Sequence, residues 1–478
     1  MRRLHILNII GKLLLALSGA MLLPALWALI AGTGDFGSIA LSAVITAVFG
    51  LILRAFFSYR GDISLIESFI LVTLAWLAAA VFGAFPYYIY GVFDNYLYSF
   101  FESISGFTTT GATLIENIES MPPGILLWRS LTQWLGGMGI IVLFVALLPR
   151  LGAKGMNLFR AEMPGVFTDR VVPRIADMAK KLWIIYMSLT LLLLILLMVF
   201  GSSFFHALNH ALTTMPTGGF STFNDSIAGF GKPAIEIVIS IFMLLAGINF
   251  ALYYQLYRKD YQGFYKNPEL KFYLIIVVIA VILVSINISS YYGLGENLRT
   301  SAFQVIAIIT TTGYATANFD IWPSFSRLLL LIFMFFGASG GSTAGGMKQV
   351  RIILLVKFAF REVNKLIHPS AVSKIKLGSR PVSEEIMRNV LAFSVLYIGF
   401  FVAGSLALTA MGLDITTASS AVAATIGNVG PGLGLVGPEN TFAAIPPLGL
   451  AILCFMMILG RLEIYTVIIF ILAEIRRV

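Results

Sequence analysis

Four short segments of the chain combine threonine or asparagine with glycine, residue types that can offer oxygen atoms to an ion. They recur about every 100 residues, a regularity that indicates an internal repeat. Glycine permits positive φ, which lets the backbone turn its carbonyl groups without a Cβ clash, and threonine adds a hydroxyl group beside them. The segments are SGFTTTGAT at 105–113, TTMPTGGFST at 213–222, TTTGYAT at 310–316 and TIGNVGPG at 425–432, aligned on Gly111, Gly219, Gly313 and Gly430.

A dehydrated monovalent cation needs rings of oxygen atoms in place of its water. One extended segment supplies too few oxygens, whereas four segments around an axis supply whole rings. The alternative is that these small residues only let transmembrane helices pack closely, but four copies between long apolar segments favour a cation pathway. The predicted ion-binding filter residues are Thr109, Thr110, Gly111, Thr217, Gly218, Gly219, Thr311, Thr312, Gly313, Asn428, Val429 and Gly430.

Polar residues also occupy one matched position, nine residues before three of the four glycines. Glu102, His210 and Gln304 stand there, and the fourth segment has Ala421. We expect these residues to lie on short pore helices that precede the loops. His206 and His210 have a helical spacing that can hold a metal ion, but that segment offers no cysteine or suitably spaced acid, so the pore-helix interpretation is preferred.

The composition requires a lipid bilayer. With 58% hydrophobic residues, 12% charged residues and a mean hydropathy of +0.91, the chain cannot be a soluble domain. Its single cysteine, Cys454, excludes a disulfide or a cysteine metal site within one chain. The net charge of +9 comes from lysines and arginines concentrated in the predicted inner loops, which is the positive-inside rule and not a nucleic-acid-binding surface. Acids such as Glu116 and Glu439 fall in the predicted outer segments, where they would attract cations to a pore mouth.

These patterns predict an all-α polytopic membrane protein with four pseudo-symmetric membrane–pore-loop–membrane repeats around a central pore. Two extra N-terminal transmembrane helices precede the repeats. Each repeat is expected to contain an outward helix, a pore helix too short to span the bilayer, the glycine loop and an inward helix. The predicted units are 1–60 for the extra helices, then 61–175, 176–265, 266–383 and 384–478 for the four repeats.

The third inward helix is interrupted by FGASGGSTAGGMK at 336–348, in which nine consecutive small residues, 338–346, follow Gly337. Each glycine costs about 1 kcal/mol inside a helix, and irregular backbone at membrane depth survives only where protein buries it or a cavity adjoins it. Weaker irregularities are predicted at 136–139, 247–249 and 460–463. Arg461 is costly at mid-membrane and is by default functional. The predicted gate comprises Gly337, Gly340, Gly341, Ser342, Thr343, Gly345, Gly346, Lys348 and Arg461.

The four loops and their spacing resemble the bacterial Trk and Ktr potassium-uptake superfamily over residues 60–478. The two extra N-terminal segments and Asn428 make the chain more similar to the TrkH branch than to the KtrB branch. The resemblance implies channel-like potassium uptake across the bacterial inner membrane, gated by loop 337–347 and Arg461, with potassium as cargo and no covalent cofactor. It also implies a homodimer, cytoplasmic N- and C-termini and a soluble nucleotide-binding regulatory subunit of TrkA type.

Two other classes of function compete with a channel. An ion-coupled secondary transporter, a proton- or sodium-coupled potassium symporter, is expected to have paired interruptions in symmetric halves, whereas the sequence has one large interruption. An intramembrane protease is suggested by GASG at 337–340, but the only downstream histidine, His368, lies beside Pro369 in a basic loop. That chemistry needs a histidine base inside the membrane, so we expect no enzyme.

Overall fold

The structure of the protein is a computed structural model that describes residues 3–56, 64–147, 175–370, 374–378 and 380–475. The described residues are mostly helical. They include six helices long and apolar enough to cross a membrane, or eight if each of two sharply bent helix pairs counts as one span. The basic residues and prolines of 150–181 predict a cytoplasmic linker followed by a helix from about 182. Most of this stretch lies outside the described residues, and the helix begins earlier, at Ile175.

The two N-terminal helices, α1 (Arg3–Ala31) and α2 (Phe36–Phe56), form a pair joined by a short turn. Small residues bring their backbones together: a Cβ on Gly11 would meet the carbonyl oxygen of Gly50 at 2.7 Å. Helices in a membrane associate through such close packing, because the hydrophobic effect does not favour helix–helix contacts over helix–lipid contacts. Ser18 adds a hydrogen bond of 2.8 Å to the carbonyl of Ala43.

After this pair the chain repeats one pattern four times. Each repeat consists of a long helical segment, a short helix, a glycine loop and a further helix. The four short helices are α5 (Tyr96–Phe107), α8 (Phe204–Thr214), α13 (Leu294–Ile309) and α17 (Ile415–Ile426). Asn95, Ser203 and Asp414 cap the first, second and fourth of them with side-chain hydrogen bonds to backbone amides, as N-cap residues do.

The long segments before the short helices are α3 (Leu65–Gly83) with α4 (Phe85–Tyr90), α7 (Ile175–Val199), α12 (Pro268–Asn287) and α16 (Glu384–Ala410). The helices after the loops are α6 (Pro123–Leu147), α9 (Pro233–Ala246) with α10 (Phe250–Tyr257), α14 (Ser324–Phe335) with α15 (Gln349–Ile367), and α18 (Pro447–Arg461) with α19 (Tyr465–Ile475). A short helix α11 (Tyr261–Tyr265) precedes α12.

Three of these later helices are broken. The axes of α9 and α10 differ by 89°, and those of α18 and α19 by 112°, at the positions predicted from Gly247, Asn249 and the 460–463 segment. Arg461 therefore ends a helix and does not lie in the middle of one. The largest break separates α14 from α15 and contains the predicted small-residue segment 336–348, which we call the membrane loop.

The prediction of an irregularity at 136–139 is wrong, because α6 runs without interruption from Pro123 to Leu147. Its glycines serve close packing. A Cβ on Gly136 would collide with the carbonyl of Phe107 at the end of α5, and one on Gly137 would collide with Pro216. The glycine pair therefore lets α6 lie against two of the glycine loops.

The sequence of 348–388 is basic and predicts a cytoplasmic stretch; the structure shows that it contains the 19-residue helix α15. Beyond it, β1 (Lys376–Leu377) pairs antiparallel with β2 (Arg380–Pro381). Val350, Ile353 and Leu354 of α15 are buried in one cluster with Met387 and Val390 of α16. This apolar face explains why a charged segment folds as a helix against its neighbour.

Candidate functional site

The four aligned glycines form a closed ring, which we call the glycine ring. All have positive φ: 83° at Gly111, 79° at Gly219, 75° at Gly313 and 104° at Gly430. Each one abuts the carbonyl oxygen of the residue that precedes the next glycine, so closely that an added Cβ would come within 3.0 Å of it. The ring therefore brings four loops that are distant in the chain to one point, with backbone touching backbone at each junction. The facing pairs are Gly111 with Gly218, Gly219 with Thr312, Gly313 with Val429, and Gly430 with Thr110.

A second set of residues in the loops also has positive φ. Three of them are threonines, a residue type that does not predict this conformation. Thr109, Thr217 and Thr311 have φ of 53°, 56° and 56°, and Asn428 has 52°. A β-branched residue rarely adopts this conformation. Such strain persists only where the surrounding structure enforces it, and it concentrates at functional sites. Asparagine tolerates left-handed φ better, so Asn428 was the only clue in the sequence.

The matched polar residues of the short helices lie behind the loops and hold their outer ends. Glu102 accepts a hydrogen bond of 3.0 Å from the backbone amide of Leu114. His210 Nε2 is 3.0 Å from the hydroxyl of Ser221. The amide nitrogen of Gln304 donates to the carbonyl of Tyr314 at 3.1 Å, and its oxygen accepts from the backbone amide of Thr316 at 3.0 Å. Each side chain thus contacts its own loop a few residues beyond the ring glycine.

One side of the glycine ring faces an open cavity of about 110 Å³ that all four ring glycines line. Glu116 and Glu439, two of the acids predicted at the pore mouth, line it as well. Arg129 also reaches this cavity, although its guanidinium is almost completely buried and is paired with Glu102. Carboxylates beside such an opening raise the local concentration of cations.

The membrane loop contacts the ring loops on the side away from this cavity. The backbone amide of Gly345 donates to the hydroxyl of Thr311 at 2.7 Å, and the hydroxyl of Thr217 lies 3.4 Å from that of Thr343. Gly345 also packs so closely on the fourth ring loop that a Cβ would collide with the carbonyl of Gly427. Among the described side chains, the buried oxygens Thr109 Oγ1 and Asn428 Oδ1 have no hydrogen-bond partner.

The neck of the membrane loop is closed by backbone contacts. Gly337 donates to the carbonyl of Met347 at 2.9 Å, and Met347 donates to the carbonyl of Phe335 at 3.0 Å. Within the loop, Ser342 donates to the carbonyl of Ser339 at 2.7 Å, and Gly341 and Gly346 have positive φ. The loop is therefore a compact folded insert.

Two basic side chains hold this insert in place. Arg461 Nη1 donates to the carbonyl of Thr343 at 2.7 Å, and its Nη2 lies 3.5 Å from the carbonyl of Gly136. Lys348 Nζ donates to the carbonyl of Ala344. Thus Arg461 and Thr343 of the predicted gate are in contact, Lys348 bonds to the neighbouring residue Ala344, and carbonyl groups partly solvate the arginine's buried charge.

Glu269 is a further anchor that sequence reasoning missed. This fully buried carboxylate at the start of α12 accepts hydrogen bonds from Gly340 at 2.7 Å and from Val350 at 3.1 Å. It therefore joins the middle of the membrane loop to the first turn of α15. An acid at the edge of a long apolar segment was the only available signal, and helix N-termini often carry such acids.

The break between α18 and α19 has a second charged contact. Glu463, with φ of 55°, pairs with Arg351 of α15. The guanidinium carbon of Arg351 also lies 3.9 Å from the ring centroid of Phe393. One helix break thus contacts both the membrane loop, through Arg461, and the helix that follows the loop.

The fold and this site define a multi-pass membrane protein of the cation transport class. Residues 38–475 match the TrkH family, described as cation transport protein, and the chain belongs to that family; it is a transporter and not an enzyme. It is 39% identical to the Trk system potassium uptake protein TrkH of Salmonella typhimurium and 38% identical to that of Escherichia coli K12, each over 97% of both chains. Its structure resembles the crystal structure of the potassium transporter TrkH from Vibrio parahaemolyticus, with a TM-score of 0.90 and 35% identity over 98% of both chains.

Proposed function

We propose that this protein carries potassium into a bacterial cell through the glycine ring, and that the membrane loop and Arg461 form its gate. The observation that carries the proposal is the closure of the ring by four close contacts. Each contact joins a ring glycine to the carbonyl group of the residue before the next ring glycine. Four extended segments that meet around one axis can supply several layers of oxygen to an ion that has lost its water. The relatives named as potassium uptake proteins support potassium as the cargo.

The loop contacts support a closed pathway in this conformation. An ion leaving the ring on the side of Thr217 and Thr311 would meet the membrane loop. Thr343 of this loop already contacts the hydroxyl of Thr217, and Gly345 donates to the hydroxyl of Thr311. Arg461 adds a positive charge at the same depth, which repels a cation. Conduction therefore requires the loop to move away from the ring, and the small residues of 338–346 offer little side-chain packing against that motion.

Reversal potentials test the filter proposal directly. The full-length protein is reconstituted in liposomes with a potassium gradient in one direction and a sodium gradient in the other. We expect the reversal potential to follow potassium. A potential that follows sodium equally well would refute a potassium-selective ring.

The bent helix pairs favour one second candidate, an ion-coupled symporter. Breaks with large angles at α9–α10 and α18–α19 occur in the second and fourth units, as paired interruptions do in secondary transporters. Accumulation of potassium against its own gradient when a proton or sodium gradient is imposed would establish coupling. Dissipation of a potassium gradient without any such dependence would exclude it.

We further propose a homodimer in the bacterial inner membrane, with cytoplasmic termini and a soluble nucleotide-binding subunit that controls the gate. Membership of the TrkH family supports this assembly, and the basic side chains of Lys357, Arg361 and Lys365 on α15 are consistent with a cytoplasmic face. Cysteine-accessibility labelling near each terminus in intact cells tests the orientation. Mass measurement of the detergent-solubilised protein tests the dimer.

A further inference from the structure

The glycine ring is fourfold in its backbone, but one of its four junctions has an additional ionic brace. Arg129 of α6 and Glu102 of α5 form a salt bridge of 2.6 Å between Nε and Oε1, and their side chains are 2% and 0% exposed. At the matched position the other short helices carry His210, Gln304 and Ala421. Glu102 is the only carboxylate of this set.

The pair connects the first ring loop with the second. Glu102 accepts hydrogen bonds from the amide of Leu114 at 3.0 Å and from the hydroxyl of Thr113 at 3.0 Å, both just beyond Gly111. Arg129 Nη1 donates to the carbonyl of Ser221 at 2.9 Å, two residues beyond Gly219. The pair therefore fixes the separation of two neighbouring loops on the side that faces the cavity.

Arg129 belongs to a larger grip of α6 on the second loop. Its guanidinium carbon lies 3.6 Å from the ring centroid of Phe220. One turn further along α6, Gln133 donates to the carbonyl of Gly218 at 2.6 Å and accepts from the amide of Phe220 at 3.1 Å. These contacts surround Gly219 on both sides, so a small displacement of Arg129 would reach the ring.

The cost of burying this pair argues against a role in stability alone. Buried ion pairs are often no more stabilising than apolar side chains of similar volume, because removing two charges from water offsets their attraction. Here the positive member also lines the cavity through which a cation would approach. Without Glu102, its charge would oppose cation access.

We propose that the Arg129–Glu102 pair is a positioning element that sets the discrimination between potassium and sodium and keeps the mouth of the ring free of an uncompensated positive charge. The inference rests on the proposed filter function of the glycine ring. Neither residue is a predicted ion ligand: both act through the backbone of the first two loops.

The test compares Glu102→Gln with the double variant Glu102→Gln/Arg129→Gln in full-length protein in liposomes. The single variant keeps the shape but leaves the guanidinium uncompensated, so we expect potassium uptake to fall about tenfold at low ionic strength and to recover partly when an impermeant salt screens the charge. The double variant is neutral, so uptake recovers. Its potassium-to-sodium permeability ratio falls about threefold, because a glutamine at position 129 is too short to join the side chain at position 102 to the carbonyl of Ser221 and a net hydrogen bond contributes that order of discrimination.

The matched control is the ion pair between Arg299 and Glu236, whose Nε to Oε2 distance is 2.9 Å and which joins α13 to α9. Replacing both of these residues by glutamine should leave uptake and permeability ratio at parental values. Gly111→Ser serves as the reference for the ring itself. If Gly111→Ser lowers the ratio and the folded double variant does not, the positioning role is refuted while the filter survives; if Gly111→Ser also leaves the ratio unchanged, the filter proposal fails.

Protein quality separates the remaining outcomes. A double variant that elutes as a single species from size-exclusion chromatography and has a lowered ratio supports the proposal. A double variant that fails to fold is the result expected of a purely structural pair and overturns it. Loss of uptake in Glu102→Gln that does not respond to ionic strength would refute the electrostatic part.

Discussion

The glycine ring and the membrane loop are both glycine-rich, buried and free of regular structure, yet they are held in different ways. The ring closes on itself through backbone groups of four separate loops, and every junction excludes even a methyl group. The membrane loop also has backbone hydrogen bonds to the α9–α10 break, from Ser339 to Gly247 and from Phe250 to Gly341, but charged side chains, among them Arg461 and Glu269, add anchors that the ring junctions lack. Substitution of these side chains therefore separates the two regions experimentally.

The largest effect is expected from Gly313→Ser in the ring. The new side chain needs a left-handed φ, which costs about 1–2 kcal/mol, and its Cβ would also collide with the carbonyl of Val429. We expect the potassium-to-sodium permeability ratio from reversal potentials to fall about tenfold, the change that corresponds to about 1.4 kcal/mol of lost discrimination.

Gly412→Ser is the matched control for this change. Gly412 has φ of 94°, but no atom of the described residues lies within 4 Å of the place that a Cβ would take. The control therefore carries the conformational cost without the crowding. Equal ratios in the two variants would contradict the role of the ring.

The next largest effect should come from Arg461→Ala, which removes the charged donor to Thr343. Hydrogen bonds to charged groups contribute about 1.5–3 kcal/mol, so ion flux without any regulatory subunit should rise by about tenfold or more. The permeability ratio should stay at its parental value, because the ring keeps its backbone contacts. Flux is measured with a potassium-sensitive dye in proteoliposomes. Arg327→Ala, in an outer ion pair with Asp320, is the control, and equal flux in both variants would exclude Arg461 from the gate.

A smaller effect is expected from Glu269→Gln. The amide retains the shape of the side chain but loses the negative charge that binds both Gly340 and Val350, and a charge-assisted hydrogen bond is about twice as strong as a neutral one. We expect unregulated flux to rise about threefold with no change of selectivity. Glu384→Gln, at an exposed carboxylate paired with Arg361, should leave flux unchanged. If the Glu269→Gln variant keeps the parental unregulated flux, the loop does not depend on this anchor.

The smallest effect is expected from Thr311→Val, at a place where the two regions share a hydrogen bond. Valine keeps the volume but cannot accept from Gly345, so both the flux without regulator and the permeability ratio should change by about twofold, in line with one net hydrogen bond. Thr73→Val, whose hydroxyl bonds to the Phe69 carbonyl within its own helix, is the control. A change in only one of the two readouts would assign Thr311 to one region alone.

The sequence predicts the parts of this site that follow local rules. The positions of the four glycines were predictable because glycine is the residue that adopts positive φ without a Cβ clash where backbones approach closely. The membrane loop was predictable because nine small residues cannot remain helical in an apolar segment. The breaks after Ala246 and Arg461 followed from local irregularities in the same way.

Features that depend on contacts between distant segments were not predictable. Glycines 136 and 137 were mistaken for a break because their purpose, close packing against Phe107 and Pro216, is visible only in three dimensions. Arg129 showed no sign of pairing with Glu102, since α6 and α5 are separated by a loop of irregular structure. The left-handed φ of Thr109, Thr217 and Thr311 opposes the preference of threonine itself, so local propensity pointed the wrong way.

The break between α18 and α19 has a consequence for how sharply the protein can respond to a signal. Arg461 and Glu463 are separated by one residue, and they hold the membrane loop and α15 respectively. A displacement of α15 that pulls on Glu463 necessarily disturbs the backbone that presents Arg461, so the two contacts break in a single event. On the proposed gate, loss of one contact therefore favours loss of the other, and each pore is expected to switch between a closed and an open state. Single-molecule recordings should show one full conductance step per pore, with the proposed regulatory subunit changing the time spent open and not the size of the step.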